Sequence, residues 1–275
     1  MGHIRQNAVA ALAGLALLLL LPVLSGATEV IRLNGTGSSL AMMKILGEAY
    51  SREKPGVQVE IISNLGSSGA IKALLDGALD IAVTGREPKP AERSKGALSV
   101  KYGKSPYVFV TSRRMPKASI TIPELEAIYG GLTTYWPDGQ RIRRVLRPLE
   151  DTDTALLRAI SPGMATAVAA AQKRQGMILA ITDQDSLKAV AATKGSLGGG
   201  TLTQVLAERQ KVQVFALNGV APTAKHPTKG GYPLFKNHYI VTCATTSPAA
   251  KRFLEFVFSP AGRRVAAQYG FITAK

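Results

Sequence analysis

Apolar residues along this chain fall into short β-branched runs, which alternate with longer stretches at helical spacing. Residues 30–33 and 57–62 are of the first kind. Each run is followed by a turn of small residues, Asn34-Gly35-Thr36-Gly37-Ser38-Ser39 after the first and Asn64-Leu65-Gly66-Ser67-Ser68-Gly69 after the second. Beyond the turns the apolar positions are Leu40, Met43, Ile45, Leu46 and Ala49, then Ile71, Leu74 and Leu75, which is the period of an amphipathic helix. The pattern therefore predicts two consecutive units of strand, Gly/Ser turn and helix.

The alternation continues. Residues 80–84 read as a short buried strand ended by Gly85-Arg86-Glu87-Pro88, and 89–95 as a polar loop. Residues 97–101 and 107–112 read as two more strands, and 113–117 as a crossing between domains. A helix is predicted over 121–129, with Thr121 as cap, Pro123 in the first turn, Glu124 favouring the dipole and Gly130-Gly131 ending it. Trp136-Pro137-Asp138-Gly139 is a turn before a strand at 144–146; Arg147 ends that strand, and 150–154 opens the next helix. Residues 177–179, 212–217 and 239–242 read as strands and 198–200 as a glycine loop. An amphipathic helix covers 249–258, and a last one runs from Ser259-Pro260 to Gly270. Strands alternating with helices throughout place the chain in the α/β class.

The N-terminus stands apart. Arg5 supplies a positive start, 8–24 is almost unbroken in its apolar character, and Ser25-Gly26-Ala27 offers small residues at a cut before Thr28. Residues 1–27 are read as a cleaved secretory signal peptide, and the mature protein, about 250 residues, as an exported one with room for two small domains. With no cysteine near the cut, no lipid anchor is expected. Removing Arg5 takes the net charge from +16 to +15. So basic a chain suits acidic partners or small anions, but an exported protein with 6% aromatic residues is a poor nucleic-acid binder. Cys243 is the only cysteine, which excludes an internal disulfide and a cysteine metal cluster. His226 and His238 are expected in a loop and at a strand edge. HExxH, GxSxG and a Gly-Lys-Ser/Thr phosphate loop are all absent, and Leu40 takes the place of the third small residue of a dinucleotide fingerprint.

The two Gly/Ser turns carry the candidate chemistry. A helix that opens on small residues leaves backbone N–H groups free, the helix dipole adds partial positive charge, and serine hydroxyls add donors without charge. Ser38 and Ser67 are candidates for anion contact, or else for plain helix caps.

Five stretches, GTGSSL (35–40), GSSGAIKALLDGALDIAV (66–83), TIPELEAIYGGLTTYWPDG (121–139), VLRP (145–148) and FLEFVFSPAGRRVAAQYGF (253–271), occur in the order in which similar motifs occur in periplasmic phosphate-binding proteins of ABC-type phosphate importers. The chain resembles that family over nearly all its mature length. The resemblance implies a two-lobed periplasmic-binding-protein fold of type II, with lobe one formed by 28–112 plus 236–275, lobe two by 113–235, and the ligand cleft between them. It further implies a periplasmic monomer that binds inorganic phosphate or a similar oxyanion and delivers it to ABC permease subunits in the inner membrane, without cofactor or reaction.

Carried over residue by residue, the resemblance assigns phosphate contacts to Ser39 and Leu40, with Ser38 beside them, and to Ser67, with Ser68 beside it. Arg147 is the arginine that forks two oxygens, as a guanidinium can. Two places depart from the family pattern. The aspartate that accepts the proton of the phosphate is replaced by Gly85 or Arg86, and the Ser-Gly-Thr helix start of lobe two is Asp151-Thr152-Asp153. Ionised carboxylates there would repel a dianion by roughly several kcal/mol at low dielectric. Asp151 and Asp153 are either helix caps or an acceptor displaced across the cleft, with Arg86 adding charge on lobe one. These departures leave open another oxyanion or a small zwitterion as ligand, and a sensor or adhesion protein in place of a transport receptor. An exported phosphoesterase is disfavoured by the lack of a nucleophile beside a base or of paired metal carboxylates.

Overall fold

The computed structural model describes residues 28–62, 65–112, 115–223 and 231–274. The expected signal segment lies outside the described residues, as do Asn64 of the second turn, Arg113-Arg114 of the expected crossing, and His226.

In chain order the strands are β1 (Glu29–Gly35), β2 (Val57–Ile61), β3 (Ile81–Thr84), β4 (Leu98–Thr111), β5 (Ser119–Ile120), β6 (Arg143–Leu146), β7 (Ile178–Leu179), β8 (Ser196–Thr201), β9 (Gln213–Val214), β10 (Ala216–Leu217), β11 (Phe235–Thr242) and β12 (Ile272–Thr273). A sheet in the order β2-β1-β3-β11-β4-β8-β6-β7 runs through the whole molecule, with β12 and β9 also paired to β4. Strand β1 is parallel to both neighbours, with Leu33 opposite Ile61 on one side and Ile81 on the other. The α/β class is as the sequence predicts, and the helices Gly37–Glu53 and Gly66–Leu75 follow β1 and β2 as read.

The apolar side chains collect into separate cores. Ile31, Leu33, Met42, Met43, Leu46, Val83, Tyr102, Phe253 and Phe271 belong to the first, and Ile71, Leu74 and Val241 to a smaller cluster under the helix Gly66–Leu75. Tyr107, Phe109, Leu125, Tyr129, Val145, Met164, Leu187 and Phe215 belong to the other. The fold is thus two-lobed, and β4 passes from one core to the other between Tyr102 and Tyr107.

Several local expectations change. The two strands read at 97–101 and 107–112 are one 14-residue strand. The polar stretch Gly103-Lys104-Ser105 breaks the apolar pattern, but its backbone stays laddered to β11, with Lys104 opposite Asn237 and Ser105 opposite Lys236. Residues 198–200 are no loop: they lie within β8, wholly buried. Glycine is required there by close approach, because a Cβ on Gly199 would sit 2.1 Å from the Tyr107 hydroxyl. The run 212–217 divides into β9 and β10, which pair with β4 and β5 respectively. The polar loop at 89–95 contains a short helix, Pro90–Arg93. His238 is buried in β11 between β3 and β4, not at an edge. The helices Pro162–Gln172 and Asp183–Ala192 are not among the expected elements. The helix Ile122–Gly130 begins as read, with Thr121 Oγ1 accepting from Glu124 N and the Glu124 carboxylate accepting from Thr121 N.

Candidate functional site

Because β1 and β3 run parallel, their C-terminal ends emerge side by side. The helices Gly37–Glu53 and Gly66–Leu75 start at that edge, and the Gly85 N–H donates to Ser67 Oγ at 3.0 Å. Across the cleft, Arg147 follows the last residue of β6. Its guanidinium donates to the Ala180 carbonyl and to Asp151 Oδ2, each at 2.7 Å. The other Asp151 oxygen accepts from Asp153 N at 2.8 Å and so caps the helix Thr152–Arg158. A cavity of about 250 Å³ opens between these groups, lined by Ser67, Ser68 and Arg86 from the first lobe and by Arg147, Asp151 and Thr152 from the second. A larger hollow of about 980 Å³, lined by Ser112, Lys188, Gln210 and Lys211, lies apart from these buried charges and brings none of the candidate residues together.

The expected residues have different fates. Ser39 shares a 2.5 Å hydrogen bond with His238 Nδ1. The Leu40 N–H donates to the Thr36 carbonyl at 3.0 Å, and its side chain is in the first core. The Ser38 N–H donates across the cleft to Asp183 Oδ2 at 3.1 Å. Arg86 makes a two-pronged pair with Glu92, at 2.7 and 2.8 Å, and also donates to Ser68 Oγ at 2.8 Å. Ser67, Ser68, Arg86, Arg147, Asp151 and Thr152 therefore share the cavity, whereas Ser39 and Leu40 are engaged within their own lobe. Gly85 has close neighbours: a Cβ there would stand 2.9 Å from Thr152 Oγ1 and 3.0 Å from Lys236 Cε. The space beside the glycine is already held by Thr152 and Lys236.

Two buried charges went unread in the sequence. Lys236, on β11, is ion-paired with Asp153 and lies 3.6 Å from Asp183 Oδ1. Asp183, the first residue of its helix, accepts from the Thr36 hydroxyl at 2.8 Å and stands 4.0 Å from Arg147. A signal for Lys236 was present. It alternates with His238 and Ile240 on the buried face of β11, a period of two that the predicted strand, starting at 239, cut off. Asp183 had no such signal, because Thr182 and Asp185 form an ordinary capping box around it.

Burial dominates the electrostatics of this cluster. It pushes the Asp153 carboxyl up to about 7, with Lys236 opposing and Asp183 and Asp151 adding to the rise. Burial also works against an ionised Asp183, but Lys236, Arg147, the Thr36 hydroxyl and the Ser38 N–H outweigh it and hold that carboxyl well below the usual range. The Lys236 ammonium is opposed by burial too, yet Asp153, Asp183 and Asp151 keep its pKa above the ordinary value. Burial, with Lys236 nearby, holds the His238 imidazole neutral down to about pH 3. The cavity can offer the Ser67, Ser68 and Thr152 hydroxyls and the Arg147 guanidinium to one small ligand.

Comparison with known proteins agrees with this two-lobed arrangement. The chain is 31% identical over 113 residues to the Streptococcus pneumoniae phosphate-binding protein PstS 2, which covers 41% of this chain and 37% of the relative. A Streptococcus agalactiae protein of the same name is 29% identical over 104 residues, 38% of this chain and 35% of that one. The chain thus matches little more than a third of the length of these curated relatives. Among solved structures, a Clostridium perfringens protein assigned as a phosphate ABC transporter substrate-binding protein, with bound phosphate, superposes with a TM-score of 0.76 at 20% identity, covering 90% of this chain and all of that one. A phosphate-binding protein from Stenotrophomonas maltophilia gives 0.68 at 13% identity, over 90% of this chain and 91% of the other. At those identities the likeness concerns the fold. Residues 23–261 match the model of the PBP superfamily domain, and with most of its length inside that match the chain belongs to the PBP superfamily.

Proposed function

We propose that this protein is the solute-binding receptor of a phosphate-type ABC importer and takes a small oxyanion, phosphate, into the cleft between its lobes. The observation that carries the reading is the cavity itself, in which hydroxyls at the start of one helix face the Arg147 guanidinium of the opposite lobe. Ser67, Ser68 and Thr152 would contribute neutral hydroxyls and Arg147 a charge that it does not lose. The relatives named for phosphate binding support the choice of anion. In this reading lobe one is 28–112 plus 236–275 and lobe two is 113–235. The protein is exported to the periplasm as a monomer, hands its ligand to permease subunits in the inner membrane, and catalyses nothing.

The test is a thermal-shift series with phosphate, arsenate, sulfate, nitrate and small zwitterions, followed by calorimetry on whichever stabilises. A ligand at 100 times its Kd adds about 2.7 kcal/mol to stability. Phosphate is expected to give the largest shift. A series in which no oxyanion stabilises the protein, or steady phosphate release from a chromogenic ester, would overturn the assignment.

A further inference from the structure

The edge of the second lobe's sheet that faces away from the cleft carries a hollow of its own. Strand β6 is parallel to β7 and β8, and Arg143 opens it while Arg147 follows its last residue, roughly 13 Å further along. At the Arg143 edge lies a cavity of about 220 Å³, close in size to the one between the lobes. Thr134, Arg141, Arg143, Arg144, Gln175 and Gly176 are among its walls, and no acid lines it. Arg174 stands beside them. Its guanidinium donates to the Gly130 carbonyl, and Arg144 donates to the Ile128 carbonyl at 2.6 Å, so both hold the last turn of the helix Ile122–Gly130. Each guanidinium carries five N–H donors, so most of theirs remain to be used.

Among the described residues none of these four arginines forms an ion pair, whereas Arg32, Arg86, Arg93, Arg147 and Arg252 each do. The acids close in sequence are engaged elsewhere: Asp138 accepts from Gln140 N and Nε2, and Glu126 accepts from the Ser161 hydroxyl. Burial, and then the charges of Arg174 and Arg141, hold the Arg144 guanidinium below its ordinary value. A merely basic surface lets its long side chains spread apart. Here two guanidiniums are fixed on backbone carbonyls and the hollow between the charges is left open. We infer that this hollow is a second anion site, separate from the cleft, and that it takes an anion with several charged oxygens, a short chain of phosphoryl groups. Guanidinium forks match phosphoryl oxygens in pairs. Arg141 and Arg143 come from β6 and the turn before it, and Arg174 from the end of the helix Pro162–Gln172, so the donors suit an extended anion better than a single tetrahedral one. The inference does not depend on what the cleft binds.

The test is calorimetry with tripolyphosphate, at fixed ionic strength and without divalent cations, on the wild type and on variants. Arg141→Ala combined with Arg143→Ala removes exposed side chains, so the fold is kept. The tripolyphosphate affinity of that double variant is expected to fall by about tenfold to a hundredfold, the scale of a hydrogen bond to a charged group. Arg147→Ala, which alters the cleft, should leave it unchanged. So should Lys188→Ala combined with Lys211→Ala, which removes exposed charges at the larger hollow. A wild type that does not bind tripolyphosphate, or an Arg141/Arg143 double variant that binds it equally well, would overturn the inference. An equal loss in the lysine double variant would overturn it too, as general attraction to a basic surface, and so would a loss confined to Arg147→Ala, which puts the anion in the cleft. Sedimentation with cardiolipin vesicles then separates the sources of the phosphoryl groups. Vesicle binding that is lost in the Arg141/Arg143 double variant assigns the site to a lipid headgroup; tripolyphosphate binding without vesicle binding assigns it to a free anion.

Discussion

The Thr36 hydroxyl donates a 2.8 Å hydrogen bond to the Asp183 carboxylate, joining residues 147 positions apart and from different lobes. Thr36 precedes the helix Gly37–Glu53, and its side chain makes no capping bond to that helix. Its hydroxyl is therefore directed at the opposite lobe. Thr36→Val keeps the shape and removes the donor, and should cost about 1.5–3 kcal/mol of stability, as for a hydrogen bond to a charged group. Urea unfolding measures it; a cost below about 0.5 kcal/mol would mean that Lys236, Arg147 and the Ser38 N–H hold the carboxylate without the hydroxyl.

Two buried groups near Lys236 respond to pH in opposite directions. The His238 imidazole is held down to about 3, so the stability it contributes is present above the unfolded value, about 6.5, and is lost as pH falls toward 3. The Asp153 carboxyl is raised to about 7 from an unfolded value near 3.9, so its contribution is present at low pH and lost as pH rises toward 7. Between about pH 4 and 6.5 the two offset one another. His238→Gln removes only the first. Relative to wild type, the variant should gain stability as pH is lowered from 6.5 to 4, by at most about 1.4 kcal/mol per pH unit. Denaturant midpoints at two pH values check this, and parallel curves would contradict it.

Arg147 is buried, with its fork already set by Ala180 and Asp151, whereas Arg143, at the start of the same strand, is exposed. Arg147→Ala should weaken phosphate binding by about 1.5–3 kcal/mol for each charge-assisted hydrogen bond lost, and Arg143→Ala should leave it unchanged. Calorimetry on both variants decides; equal losses would point to a general effect of positive charge.

A methyl group at Gly85 would meet Thr152 Oγ1 at 2.9 Å and Lys236 Cε at 3.0 Å. Gly85→Ala should therefore displace Thr152 from the cleft and reduce phosphate affinity about tenfold or more, with a stability cost of about 1–3 kcal/mol, typical of overpacking. Unchanged affinity would mean that the lysine end yields without disturbing the site.

The backbone plan of the first lobe was legible because its strands and helices each carry one clean period: β-branched runs before Gly/Ser turns, then Leu40 to Ala49 at helical spacing. Thr121 and Glu124 were legible because a cap is a local chemical device. What could not be read depends on distant partners. Gly198-Gly199-Gly200 looks like a loop until Tyr107 is placed above it. Asp183 looks like any acid in a first helical turn until Thr36 and Lys236 arrive from elsewhere in the chain. The Asp151-Thr152-Asp153 turn divides along the same line: Asp151 acts locally, as cap and as Arg147's partner, while Asp153 reaches across to β11.

Between Lys104 and Tyr107 the sheet narrows. Ser105 and Pro106 pair only with Lys236 and Phe235, before β8 joins at Tyr107. A ribbon two strands wide twists more readily than a broad sheet, and the register shift at His238/Tyr239 adds local compliance. Rotation of one lobe against the other is then torsion of this ribbon, with its ladder left intact. Lys236 is mounted on the ribbon, so torsion re-aims the ammonium as it turns the lobes. The Lys236–Asp153 ion pair, which joins this ribbon to the helix Thr152–Arg158 of the second lobe, is thereby geared to the angle between the lobes, and a charge-altering change at Lys236 should act on that angle.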